Sequence, residues 1–287
     1  MNQQNSGERI AIIGAGRLAQ SLWRTFASNV ALVLARHPVP VEGFPPVDAL
    51  GSVHTRLAPA GVTTIWIATS DAAIAEIVEI LAATRFDFSG VAVVHSSGAT
   101  PASILAPLAA RGALTVALHP NGAFTGAEPV PAGLLWGLSS PDPERAVARM
   151  EHLLAPLAPR IVTVADDSRA LYHAAASVAA NGSVALFALA ERLYHAAGFD
   201  VGVARTTVAA YMRQAAERCQ KEGPERSLTG PIVRGDRGVV EQQRRAVAAT
   251  AHDELHNFER LIAMVESLAQ QVGGGYQSGA SSSSSAA

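Results

Sequence analysis

The residues most suggestive of chemistry stand near the start of the chain. Gly14-Ala15-Gly16-Arg17-Leu18-Ala19 follows the apolar run Ile10 to Ile13 directly and opens a helical pattern. Two glycines one residue apart, with a small residue three places on, let the chain turn sharply out of a strand. They also bring bare backbone against a pyrophosphate and let the next helix pack close to the strand. The unpaired N–H groups at that helix start can hold phosphate oxygens. Gly14, Ala15, Gly16, Arg17 and Leu18 are therefore expected to bind a dinucleotide. The ribose beside adenine is read about 20 residues on, at the end of the second strand, where an acid selects a free 2′-hydroxyl. Here stand Ala35, Arg36 and His37, with no carboxylate. Arg36 can form a bidentate pair with a 2′-phosphate, so NADP is expected ahead of NAD.

Three more polar groups follow apolar runs: Thr69-Ser70-Asp71, His95-Ser96-Ser97-Gly98 and His119-Pro120-Asn121-Gly122. Ligands of an open α/β sheet sit beyond the carboxyl ends of its strands, so these positions line one crevice. Thr69, Ser70, Ser96 and Ser97 join the expected cofactor contacts, and His119 is a candidate for catalysis. The Thr69-Ser70-Asp71 group also suits a cap for the helix beginning near Ala72. Each histidine alone fits a structural turn equally well; together they suggest a polar edge.

The elements that position these residues alternate between short β-rich runs and helical patterns, as in βαβ units with a parallel sheet. Strands are predicted at Ile10 to Ile13, Val30 to Ala35, Thr64 to Ala68, Val91 to His95, Leu114 to Leu118, Leu134 to Ser139 and Ile161 to Val164. Helices are predicted over Leu18 to Ala27, Asp71 to Thr84 and Pro101 to Ala110. The proline-rich stretch His37 to Pro59 reads as an irregular loop. From Asp166 strand signals vanish and helical segments continue to about Gln271. The fold class is thus α/β: a doubly wound, mainly parallel Rossmann sheet over 9–165, then an all-helical domain over 166–272. Met1 to Glu8 reads as frayed, and 273–287, with five serines from Ser281, as a Gly/Ser tail. The helix from Asp167 to Ala197 is apolar on nearly every side, so it is expected to be buried, with helices near Val201 to Gln220 and Val239 to Gln271 as partners. A second subunit is expected to complete that burial, making the protein a homodimer.

Composition narrows the function. Apolar residues make up 49% of the 287 and charged residues 16%, with a net charge of −2. Such a chain has neither the basic footprint of a nucleic-acid binder nor the composition of a disordered one, and a small-molecule substrate is expected. Ala174 to Ala190 is mostly alanine and is interrupted by Asn181 and Gly182, so no membrane span is expected. No signal peptide is read at the start, which gives a cytoplasmic expectation. Cys219 is the only cysteine, which excludes an internal disulfide or a cysteine-based zinc site. His252 and His256 have a zinc-compatible spacing but sit among acids and arginines, as on an exposed helix face; no metal is expected. There is no G-x-S-x-G nucleophile elbow.

The glycine fingerprint, His119-Pro120, Leu171-Tyr172-His173-Ala174-Ala175-Ala176, Asn181 and Leu228-Thr229-Gly230-Pro231-Ile232-Val233-Arg234-Gly235-Asp236 together resemble a known group. It comprises Rossmann-like NAD(P)-binding oxidoreductases with a C-terminal helical domain of unknown function, family 2520. Its architecture is similar to that of 6-phosphogluconate, 3-hydroxyacid and ketopantoate dehydrogenases and of pyrroline-5-carboxylate reductases. The resemblance implies an oxidoreductase with its substrate in an interdomain cleft. Those relatives carry Lys-x-x-x-Asn on the first long helix of the second domain, where this chain has Arg169-x-x-x-His173. By that analogy His173 is the proton donor, Arg169 a clamp for an anionic group and Asn181 an orienting residue, on one helix face. Reduction of a C=O carbon is the first expectation and of a C=N carbon the second. A non-catalytic dinucleotide-binding sensor and a purely structural dimer module are alternatives from other classes.

Overall fold

The computed structural model describes residues 7–38 and 42–275. The expected frayed start and Gly/Ser tail lie largely outside the described residues. By its contacts the chain divides into two units, Met1–Ala180 and Asn181–Ala287.

The first unit is built on an eight-stranded sheet. Its strands are β1 (Ile10–Ile13), β2 (Val30–Ala35), β3 (Asp48–Ala49), β4 (Thr64–Ile67), β5 (Ala92–His95), β6 (Leu114–Pro120), β7 (Leu135–Ser139) and β8 (Arg160–Thr163), in spatial order β3-β2-β1-β4-β5-β6-β7-β8. All pairings are parallel except β6 with β7, so the mainly parallel doubly wound sheet is borne out. Winding runs from β1 outward to β3 and then restarts at β4 on the other side of β1. That switch point is where a crevice opens in such sheets.

Alternation along the strands explains the two cores. Ile10 and Ile12 of β1 face one layer with α1 (Arg17–Phe26) and α5 (Pro143–Leu154), and Ala11 and Ile13 face the other with α2 (Val53–Arg56), α3 (Asp71–Ala82) and α4 (Ala106–Ala109). A central strand covered on both faces reads as an unbroken apolar run, which is why β1 and β2 were predicted to the residue. The proline-rich stretch is less irregular than expected, since it contains β3 and α2. The Pro101 to Ala110 helix begins as a 3-10 turn, with Pro101 ahead of it in extended conformation.

One helix expected in the all-helical domain belongs to the first unit. This is α6 (Arg169–Ser177), whose Arg169, Tyr172 and His173 reach the sheet edge. After it the chain makes a π-helical turn, Val178–Gly182, within which the second unit begins.

The second unit comprises α7 (Ser183–Ala196), α8 (Val201–Glu222), α9 (Pro224–Ser227), α10 (Arg237–Thr250) and α11 (Leu255–Gly275). The segment predicted near Val239 to Gln271 is thus two helices. Ala251 leaves helical geometry at φ −141°, and the 3-10 turn His252–Glu254 puts two acids at the start of α11, where the helix dipole favours them. His252 thus opens the 3-10 turn and His256 lies in the first turn of α11, and among the described residues no metal-binding cluster forms.

The expectation that the Asp167 to Ala197 run is buried is corrected. It is not buried within the chain: Leu171, Val178 and Val184 are 76%, 70% and 68% exposed. An 18-residue window within Asp166–Ala196 has a mean hydropathy of 1.4, so by length and composition alone this helix is one that could cross a membrane, a test that core helices of soluble proteins also pass.

Candidate functional site

A cleft of about 520 Å³ lies at the switch point, lined by Gly14 to Leu18 after β1, Ala35 to His37 after β2 and Ala68 to Ser70 after β4. Gly14 has φ +127°, and a Cβ there would overlap the Ala68 carbonyl, so the turn out of β1 requires glycine. Gly16 is different, because a Cβ there would meet nothing within 4 Å and would simply stand in open space. Packing does not demand glycine at this position; bare backbone leaves room for a ligand. No side chain caps α1, and its first turn carries no acid, which leaves its N–H groups available to an anion. This is a fit for a dinucleotide: a glycine cradle at a helix start with a cation at the far end of the cleft.

Further along the same edge, α6 delivers a second group of polar side chains to the ends of β5, β6 and β7. The Tyr172 hydroxyl accepts from Asn121 Nδ2 at 2.5 Å and lies 3.0 Å from His119 Nδ1. The phenol can donate to His119 Nδ1 or accept from it, according to the imidazole tautomer. Burial holds His119 well below the usual histidine range, at about 4, with positive charge at His173 and Arg169 adding to the effect. Burial likewise raises the Tyr172 pKa, so the phenol keeps its proton. The His119 and His173 rings stand perpendicular with centroids 5.3 Å apart.

Two glycines admit α6 to this edge. A Cβ on Gly98 would overlap the His173 ring, and one on Gly137 would overlap the Tyr172 phenol. His173 Nδ1 is sealed off and has no hydrogen-bond partner, so only Nε2 remains to serve a ligand.

The sequence-derived candidates fall into three sets. Gly14, Ala15, Gly16, Arg17, Leu18, Arg36, Thr69 and Ser70 all line the cleft. Ser70 sits at the N-cap of α3, but its hydroxyl makes no capping bond, so the capping expectation fails there. Ser96 and Ser97 do not line the cleft. Ser96 Oγ accepts from Trp66 Nε1 at 2.8 Å, and Ser97 Oγ bonds Thr100, so both hydroxyls hold the β5 turn together.

His119 and His173, both candidates for catalysis, are brought together with ring centroids 5.3 Å apart. Arg169 is not placed as a clamp: it is fully buried, donating from Nη1 to Ser139 Oγ at 2.9 Å and from Nη2 to the Ser97 carbonyl at 2.6 Å. A guanidinium without solvent exposure cannot reach a diffusing anion. Asn181 is exposed in the π-helical turn that opens the second unit. His95, fully buried at the end of β5, accepts from Ser97 N and faces the Pro101 carbonyl, and burial lowers its pKa to about 4. It is a structural turn residue. Sequence reasoning named Tyr172 and Asn121 within its motifs but gave neither a role of its own, although Tyr172 stands three residues after Arg169, on the face already singled out.

Fold and site together define a Rossmann-like protein with a helical second unit. More specifically, residues 47–120 match a Rossmann-like domain model and residues 135–272 match a domain of unknown function, DUF2520. The second match takes in β7, α5, β8 and α6 as well as the second unit. No curated protein sequence matches the chain.

Among solved structures, protein TM1727 from Thermotoga maritima is 20% identical with a TM-score of 0.63, over 91% of this chain and 98% of that one. A reductive aminase from Aspergillus terreus, in complex with NADPH and ethyl-5-oxohexanoate, is 16% identical with a TM-score of 0.62, over 92% and 98%. Pyrroline carboxylate reductase from Plasmodium falciparum, with NADP bound, is 10% identical with a TM-score of 0.55, over 92% and 97%. At such identities the likeness is one of fold.

Proposed function

We propose that this protein is an NADP(H)-dependent oxidoreductase acting on the C=O carbon of a small substrate. The observation that carries this reading is the glycine-cradled cleft at the switch point, with Arg36 at one end and paired histidines further along the same strand edge. The bound nicotinamide supplies hydride. The chain's own residues do the rest. Backbone N–H groups after Gly14 hold the pyrophosphate, and Arg36 pairs with the 2′-phosphate. His173 gives a proton from Nε2 to the developing alkoxide. Neutral His119, in the tautomer that accepts from Tyr172 at Nδ1, offers Nε2–H to the same oxygen as a hydrogen bond rather than a proton. Asn181 is proposed as an orienting residue for substrate, and the cytoplasm as the site of action.

A proton donor suits C=O, since hydride arriving at a carbonyl leaves an alkoxide that takes up a proton; a neutral imine takes up one as well, so the donor serves either chemistry. The second reading, reduction of C=N, is favoured by the activities named for two of the structural neighbours.

The test is NADPH consumption by the purified protein across a panel of small keto acids, aldehydes and ketones, with and without added amine. Turnover without amine is the expected result, and turnover only with amine would move the assignment to C=N. NADPH binding without turnover on any of them would make the protein a sensor.

A further inference from the structure

Arg36, the cation at the far end of the cleft, is not free. Its guanidinium is paired with the Glu76 carboxylate of α3, and both side chains are about half exposed. Ala73 and Ile77, on either side of Glu76 in the same helix, line the cleft with Arg36. A 2′-phosphate reaching for Arg36 therefore meets a carboxylate that already holds it and repels the incoming charge.

Resting on the reading of this cleft as an NADP site, we infer that Glu76 is a specificity-determining residue. It competes with the 2′-phosphate for Arg36 and sets the preference for the phosphorylated nucleotide lower than Arg36 alone would give. An exposed ion pair is weak, and a doubly charged phosphate is the stronger partner for a guanidinium, so the exchange still favours the phosphate. Screening by salt acts on the pair as on any exposed charges, so the influence of Glu76 is greatest at low ionic strength. The opposite role, Glu76 bracing Arg36 for the phosphate, predicts an opposite sign.

Calorimetric titration of the full chain with NADPH, NADH and 2′,5′-ADP at low salt separates these cases, using wild type, Glu76→Gln, Arg36→Ala and the double variant. Glutamine keeps the size and polarity of an exposed helix position, so the fold is preserved. Glu76→Gln is expected to tighten NADPH and 2′,5′-ADP by about threefold to tenfold and to leave NADH within about twofold. In the Arg36→Ala background that gain should shrink. Unchanged or weaker NADPH binding by Glu76→Gln overturns the inference and leaves the cofactor reading standing. If wild type binds none of the three nucleotides, the cofactor reading falls and the inference with it.

Discussion

His173 and Arg169 lie one helical turn apart, and their surroundings give them opposite tasks. His173 has one sealed nitrogen and one that remains available, the arrangement of a donor aimed in a single direction. Replacing it with Asn keeps a polar side chain but removes the transferable proton. Turnover should fall by about 10² to 10⁴ with NADPH affinity nearly intact, measured by NADPH absorbance across pH and by calorimetry. Wild-type turnover in that variant would make the imidazole a packing residue. Arg169 cannot be read as a substrate clamp once its burial is known, so Arg169→Ala should not act through KM alone. It leaves a cavity and strips Ser139 and the Ser97 carbonyl of donors, and should lower unfolding free energy by roughly 2–4 kcal/mol in urea titrations. The glycine loop and Arg36 were legible from sequence because they obey local rules of a strand-to-helix turn. Tyr172 was not, because its placement depends on Gly137, on a strand distant in sequence, lacking a side chain.

At the scale of the elements, β5 finishes in a histidine held neutral by burial, His95, and β6 carries another, His119, one residue before its end. A histidine with a folded pKa of about 4 takes up its proton more readily when unfolded, so the unfolded chain binds more protons between about pH 6.5 and 4. Stability should be complete near neutrality and be lost as pH falls through that window. For His95 alone the loss between pH 7 and 5 is about 2 kcal/mol. Urea midpoints at the two pH values check this, and His95→Gln should flatten the slope; a midpoint independent of pH would refute it. The central strands β1, β4 and β5 were readable because burial on both faces leaves unbroken apolar runs. The side on which α6 packs was not, since the notches that admit His173 and Tyr172, at Gly98 and Gly137, lie on segments distant in sequence. The break between α10 and α11 escaped notice because Ala251 is a good helix former and no glycine or proline marks it.

At the scale of the whole molecule, the second unit is short of core. Among its described residues Leu189, Ala204, Val208, Val240 and Ile262 are the buried hydrophobics, while Val184, Val203, Tyr211 and Met264 are each more than half exposed. So much uncovered apolar surface calls for a partner, and the expected one is a second copy of the chain. Light scattering at micromolar concentration should give twice the chain mass, and Val184→Glu should shift it toward monomer without loss of helical signal; a well-folded wild-type monomer would overturn the idea. The first unit holds all three tryptophans, Trp23, Trp66 and Trp136, with the last two fully buried and their rings 6.2 Å apart. This distribution gives the protein two separable optical reporters. Indole emission registers the sheet unit alone, whereas far-ultraviolet dichroism is weighted toward the helices that make up the second. Traces that coincide on heating would mean a single cooperative transition, and traces that part would show the helical unit melting while the tryptophan core still stands.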